Sequence, residues 1–172
     1  MSYRAIVRDD FGWQPPVNAG SGINSPGNEQ NPNFFENDDV GVPQLFFSNA
    51  TDGIYVSDLL PDGTFGPARP VVELDSTALD RSPSVRFDGL EVFFQSNRPG
   101  SFGLLNLWTA TRDTVSDAWS EPTNLGPLVN SLAIDGDPEI TSDRETLYFV
   151  SNRTGGVGGF DLYVTTRAKH TK

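Results

Sequence analysis

Asp80-Arg-Ser-Pro-Ser-Val-Arg-Phe-Asp-Gly-Leu-Glu-Val-Phe-Phe-Gln-Ser-Asn-Arg-Pro-Gly100 places a proline, an Asp-Gly turn, an aromatic run and a second turn in one short stretch. The run Val92-Phe93-Phe94 is apolar at consecutive positions. A strand with one face in water alternates apolar and polar residues, whereas a strand covered on both faces need not. The stretch therefore reads as two short strands around a turn, the second buried on both sides.

The same pattern returns along the chain. Runs ending in Ser-Asn occur at Leu45-Phe46-Phe47-Ser48-Asn49, at Val92-Phe93-Phe94-Gln95-Ser96-Asn97 and at Leu147-Tyr148-Phe149-Val150-Ser151-Asn152, their asparagines separated by 48 and 55 residues. A proline precedes each run (Pro32, Pro83, Pro138; separations 51 and 55) and an aromatic follows it (Tyr55, Trp108, Tyr163; 53 and 55). A fourth marker is Trp13-Gln-Pro-Pro-Val-Asn-Ala-Gly, with Phe65-Gly-Pro-Ala-Arg-Pro-Val and Trp119-Ser-Glu-Pro-Thr-Asn-Leu-Gly. Four markers with one order and one period, several strands to each period, predict an all-β β-propeller with three four-stranded blades. In each unit the first strand is expected after the proline (residues 84–87) and the second at the aromatic doublet. The third is expected at Asn106–Thr111 or Asp161–Thr166, and the fourth near residues 122–125. One domain of 172 residues is expected, with repeats at about 21–74, 75–128 and 129–172 and a closing strand at 11–20.

The stretch from Asp80 resembles the WD-like propeller repeat of the TolB type. Asp135-Gly-Asp-Pro-Glu-Ile, Leu147-Tyr-Phe-Val-Ser-Asn-Arg-Thr-Gly-Gly and Phe160-Asp-Leu-Tyr match it equally well. The first unit is degenerate: Ala50, not arginine, follows Asn49. The resemblance implies a propeller, commonly six-bladed in TolB, serving as a binding platform in the bacterial envelope; it implies no reaction.

Composition excludes several chemistries. With no cysteine there is no disulfide, thiolate metal site or cysteine nucleophile. The one histidine, His170, lies in the tail, which argues against a His-rich metal site or a Ser-His-Asp triad. Net charge is −11, from 23 Asp and Glu against 12 Lys and Arg, which opposes binding to nucleic acid or an anionic membrane. No apolar run is long enough to span a bilayer as a helix. Residues 1–10 lack an apolar h-region, so no signal peptide is expected in this chain.

Candidate site residues come from the repeat. Glu29, Asp80 and Asp135 each stand three residues before a proline. As a ring at a channel mouth they would hold Ca²⁺ or Mg²⁺. In the preferred account each acid instead pairs with the arginine of a Ser-Asn-Arg turn, Arg98 or Arg153, leaving Glu29 unpaired. Asn97, Arg98, Asn152 and Arg153 lie on loops between second and third strands, where ligand contacts or plain turn chemistry are both expected. Asp161, replaced by Asn106 one unit earlier, suits a hydrogen-bonding role. No catalytic or cofactor residue is assigned. Two functions follow: a non-catalytic binding scaffold for protein or glycan, which is preferred, or a glycosidase or lyase using Asp and Glu. Three blades are too few to close a ring. A homodimer forming six is therefore expected, with residues 13–20 of one chain completing the last blade of the other. Residues 3–8 resemble a third strand for which that ring has no vacant place.

Overall fold

The structure, a computed structural model, describes residues 12–13, 15–37, 41–49 and 53–168. Residues 3–8, read above as strand-like, and His170 lie outside them. The described residues form three small antiparallel sheets and no helix. Sheet one runs β1 (Gln30–Phe35), β2 (Gln44–Ser48), β3 (Ile54–Asp58), β4 (Arg69–Pro70). Sheet two runs β5 (Asp80–Val85), β6 (Glu91–Ser96), β7 (Asn106–Thr111), β8 (Thr123–Asn124). Sheet three has β9 (Asp135–Ile140), β10 (Thr146–Ser151) and β11 (Asp161–Thr166), with no fourth strand among the described residues. Each is a meander of neighbouring strands. The first strands β1, β5 and β9 lie beside one another along one side of the molecule.

The third strands fall where the sequence places them, but the first strands begin earlier, at or next to the acid rather than after the proline. Proline has no N–H for the ladder and bars its predecessor from the right-handed helical region. The chain answers with a bulge, which lets the strand continue through the proline. Ser82, before Pro83, has φ 55°, and the β5–β6 register shifts between Arg81 and Ser84. Asn31 (φ 52°) before Pro32 and Asp137 (φ 47°) before Pro138 repeat the device.

Register also corrects the alignment of the first unit. Asp80 pairs with Ser96 and Asp135 with Ser151, but Gln30, one residue after Glu29, pairs with Ser48. Asn49, not Ser48, therefore occupies the place of Ser96. Ser48 takes that of Gln95.

Two apolar layers fill the spaces between sheets. Phe46, Ile54 and Val56 of sheet one meet Phe94, Trp108 and Ala110 of sheet two. Phe93 and Leu107 of sheet two meet Leu147, Phe149 and Ile140 of sheet three. Phe93 and Phe94 are thus buried on opposite faces of β6, which is why that strand does not alternate. Sheet three carries apolar residues on both faces, yet only one is covered. Leu147 and Phe149 are buried, while Tyr148, Leu162 and Val164 on the opposite face are exposed. The described part of the segment expected as a fourth strand, Trp13 and residues 15–20, pairs with no strand among the described residues, and Trp13 is fully exposed.

Phe94 has no exposed surface and stands between two sheets. Phe94→Ala is expected to lower the unfolding free energy by about 3–5 kcal/mol, read from urea denaturation.

Candidate functional site

Asp80 and Asp135 open the first strands β5 and β9, which with β1 are called the inner strands below, Glu29 directly precedes β1, and each acid is held by local chemistry. Asp80 and Asp135 are fully buried. Asp80 accepts from the N–H and hydroxyl of Ser76, four residues earlier, at 2.7 and 2.6 Å. Asp135 accepts likewise from Ser131, and Glu29 from Ser25. A buried carboxylate also needs a cation. Arg98 Nη2 donates to Asp80 Oδ1 at 2.6 Å and Arg153 Nη2 to Asp135 Oδ1 at 2.6 Å. Among the described residues Glu29 forms no ion pair and accepts from Ser25 only. The same guanidinium nitrogens donate to the carbonyls of Leu74 and Val129, on the segments that lead from one sheet to the next. Their planes lie over Phe94 and Trp108, and over Phe149 and Tyr163, at about 5 Å from the ring centroids.

These contacts account for the loop residues too. Arg98 is 7% exposed and faces inward, as does the Arg153 head. Asn97 accepts from Leu79 N–H at 2.8 Å and Asn152 from Ile134 N–H at 2.9 Å. Asn106 accepts from Phe102 N–H and Asp161 from Val157 N–H, the same turn bond at equivalent positions. The structure does not bring Glu29, Asp80 and Asp135 together: among the described residues no three His, Cys, Asp or Glu side chains are placed to hold a metal ion.

The side chains flanking the three prolines do converge. Asn33 Oδ1 accepts from Val85 N–H at 3.0 Å, across from sheet one to sheet two. Ser84 Oγ, at the equivalent position, accepts from Ile140 N–H at 3.0 Å and donates to Glu139 at 3.2 Å. Ser82 Oγ donates to Asp137 Oδ1 at 2.7 Å, and Asp137 N–H donates to Gln95. A polar row thus crosses β1, β5 and β9. It is neutral through Asn31, Asn33, Ser82 and Ser84 and acidic at Asp137 and Glu139, which are exposed. They stand two residues apart on β9, on either side of Pro138. They accept hydrogen bonds from hydroxyls and amines and attract cations. The sequence reading passed over them because it fixed on the acid three residues before each proline. The available signal was that the residues on either side of each proline carry the same period.

The electrostatics separate two kinds of acid. Burial alone would raise Asp135, but hydrogen bonds from Ser151, Arg153 and Ser131 outweigh it and hold the carboxyl below the ordinary aspartate value. Burial raises Asp75, with the charge of Asp80 adding to it and the Ile54 N–H bond opposing it. Asp75 accepts that N–H at 2.8 Å. Its counterpart in the next unit is neutral: Asn130 accepts from Leu107 N–H at 2.8 Å and donates to Leu107 C=O.

No family model matches the chain, and no curated protein matches it. Among solved structures, the crystal structure of TolB from Acinetobacter baumannii, a β-propeller protein, is similar with a TM-score of 0.54 at 18% identity. The likeness covers 87% of this chain and 32% of that one, so the chain spans about a third of the TolB structure's length. At this identity the similarity is one of fold.

Two results are expected. Asp80→Asn leaves Arg98 buried without its counter-charge and is expected to cost about 3–5 kcal/mol in urea denaturation. Asp75→Asn, which copies Asn130, is expected to raise Tm by about 2–4 °C, corresponding to about 1 kcal/mol in a chain of this size. The pH dependence has opposite signs at the two acids. The stability contributed by Asp135 is complete above the unfolded value of about 3.9 and is lost as pH falls through its lower folded value. The cost of ionising Asp75 is instead relieved as pH falls through its raised value. The Asp75→Asn gain should therefore shrink on acidification, while the wild type loses stability below about pH 4.

Proposed function

We propose that this chain is a non-catalytic binding scaffold of three propeller blades, its ligand a segment of protein or glycan lying along the inner strands. The observation that carries the reading is the pair Asp137 and Glu139. They are exposed on β9, beside the Ser82 and Ser84 hydroxyls, while the buried acids Asp80 and Asp135 are committed to arginine. The repeat markers and the fold likeness to TolB support a propeller. A rigid row of acceptors suits a ligand that presents amines or hydroxyls.

One observation favours an enzyme as second reading. Glycosidases use two carboxyl groups about 5–10 Å apart, and Asp137 and Glu139 are two exposed acids close together on β9.

Calorimetric titration with an oligo-arginine peptide and with a panel of neutral oligosaccharides tests the first reading. One probe class is expected to bind and to lose at least tenfold in affinity in Asp137→Asn/Glu139→Gln, with unchanged far-UV circular dichroism. Failure of every probe to bind overturns it. Incubation with nitrophenyl glycosides is expected to release no nitrophenol above buffer, and turnover abolished by Glu139→Gln would establish the second reading instead.

A further inference from the structure

Among the described residues, 17–25 repeat the hydrogen bonds of a fourth strand and its outgoing turn, with no third strand beside them. In sheet two that piece begins at β8. Asn124 Oδ1 accepts from Gly126 N–H at 2.8 Å and from Asn130 Nδ2 at 2.9 Å, and Asn130 N–H donates to Gly126 C=O at 2.9 Å. The N-terminal piece makes the same three bonds: Asn18 Oδ1 accepts from Gly20 N–H at 2.8 Å and from Asn24 Nδ2 at 2.9 Å, and Asn24 N–H donates to Gly20 C=O at 2.9 Å. In sheet two this geometry serves β7. Thr123 and Asn124 pair with Thr109 and Trp108, and Asn130 caps both the N–H and C=O of Leu107. Asn24, Asn18 and Val17 (90% exposed) have no such strand among the described residues.

The complementary vacancy is on sheet three. Among the described residues β11 pairs only with β10. Leu162 is the counterpart of Leu107, Tyr163 of Trp108 and Val164 of Thr109, by the shared register against β10 and β6. Beside that free edge the sheet face carries Leu162 (81% exposed), Val164 (57%) and Tyr148 (48%). Their counterparts Leu107 and Phe93 are buried against the next sheet. A bare ladder edge next to an apolar face is a site for strand addition.

We infer that the occupant is a second copy of this chain, whose residues 17–18 add to β11 as its fourth strand. Val17 then pairs with Val164 and Asn18 with Tyr163, and the Asn24 amide caps the N–H and C=O of Leu162. Trp13 has Trp119 as its counterpart, which lies 4.1 Å from the Arg112 guanidinium. In the dimer Trp13 reaches Arg167, which stands where Arg112 stands in sheet two. The exchange is reciprocal, so two copies close with two-fold symmetry. The pairing is independent of what the inner strands bind.

Light scattering during size exclusion is the first test. At tens of micromolar the chain is expected at twice 18.7 kDa, and Leu162→Lys, at an exposed site, at 18.7 kDa with unchanged circular dichroism. The chain has no cysteine, so register can be read by cross-linking. Val17→Cys/Val164→Cys places both Cα atoms within disulfide range, whereas Val17→Cys/Leu162→Cys is two residues out of register and beyond it. Mild oxidation is expected to give a covalent dimer from the first pair and none from the second. A wild-type monomer, equal cross-linking by both pairs, an intramolecular bridge or a ladder of higher oligomers would each overturn the closed dimer.

Discussion

A buried aspartate clasped by an arginine holds this architecture together. Asp80 and Asp135 have no exposed surface, and a carboxylate in that position is tolerable only with a cation and several donors around it. Arg98 and Arg153 supply the cation, and in doing so join four parts of each repeat. The aspartate opens the inner strand; the arginine comes from the loop after the second strand. Its flat face covers the aromatic pair of the second and third strands, and its remaining hydrogen bond reaches the carbonyl of the incoming connection. Removing the charge at either end leaves the other stranded, so the clasp constrains several elements at once.

Where the clasp is altered, the repeat alters with it. In the first unit the register of β1 against β2 places Asn49 where serine stands in the other two, and neither of the next two residues, Ala50 and Thr51, is arginine. Glu29 keeps the serine bonds from Ser25 but has no arginine among the described residues. The neighbouring Asp75 stands where the next repeat has Asn130, and carries a half-buried charge beside Asp80 that the asparagine avoids.

The first strands vary more than the clasp at the positions flanking their prolines, because the side chains there stand outside the two apolar layers, which these strands enter through Phe35, Val85 and Ile140. Their bulges are fixed by the prolines, while the flanking positions change from Asn31 and Asn33 to Ser82 and Ser84 to Asp137 and Glu139. A common backbone device thus presents three different polar surfaces. Charge collects at one end of the row, at the exposed Asp137 and Glu139.

Much of this was legible in the residues themselves. The period, the all-β class, the bounds of β7 and β11 and the pairing of Asp80 with Arg98 follow from proline, Asp-Gly turns and aromatic doublets, because turn chemistry and strand patterning act between residues close in sequence. The start of β5 did not follow, since a proline reads locally as a strand boundary and only the bulge at Ser82 lets the ladder run past it. The one-residue offset of Asn49 was hidden because register is set across strands, not along one. Asp137 and Glu139 emerged only with the neighbouring serines of β5 in place. The apolar residues of β10 and β11 promised cover on both faces. Tertiary structure alone decided that one face is bare, because burial of a sheet depends on what stacks against it.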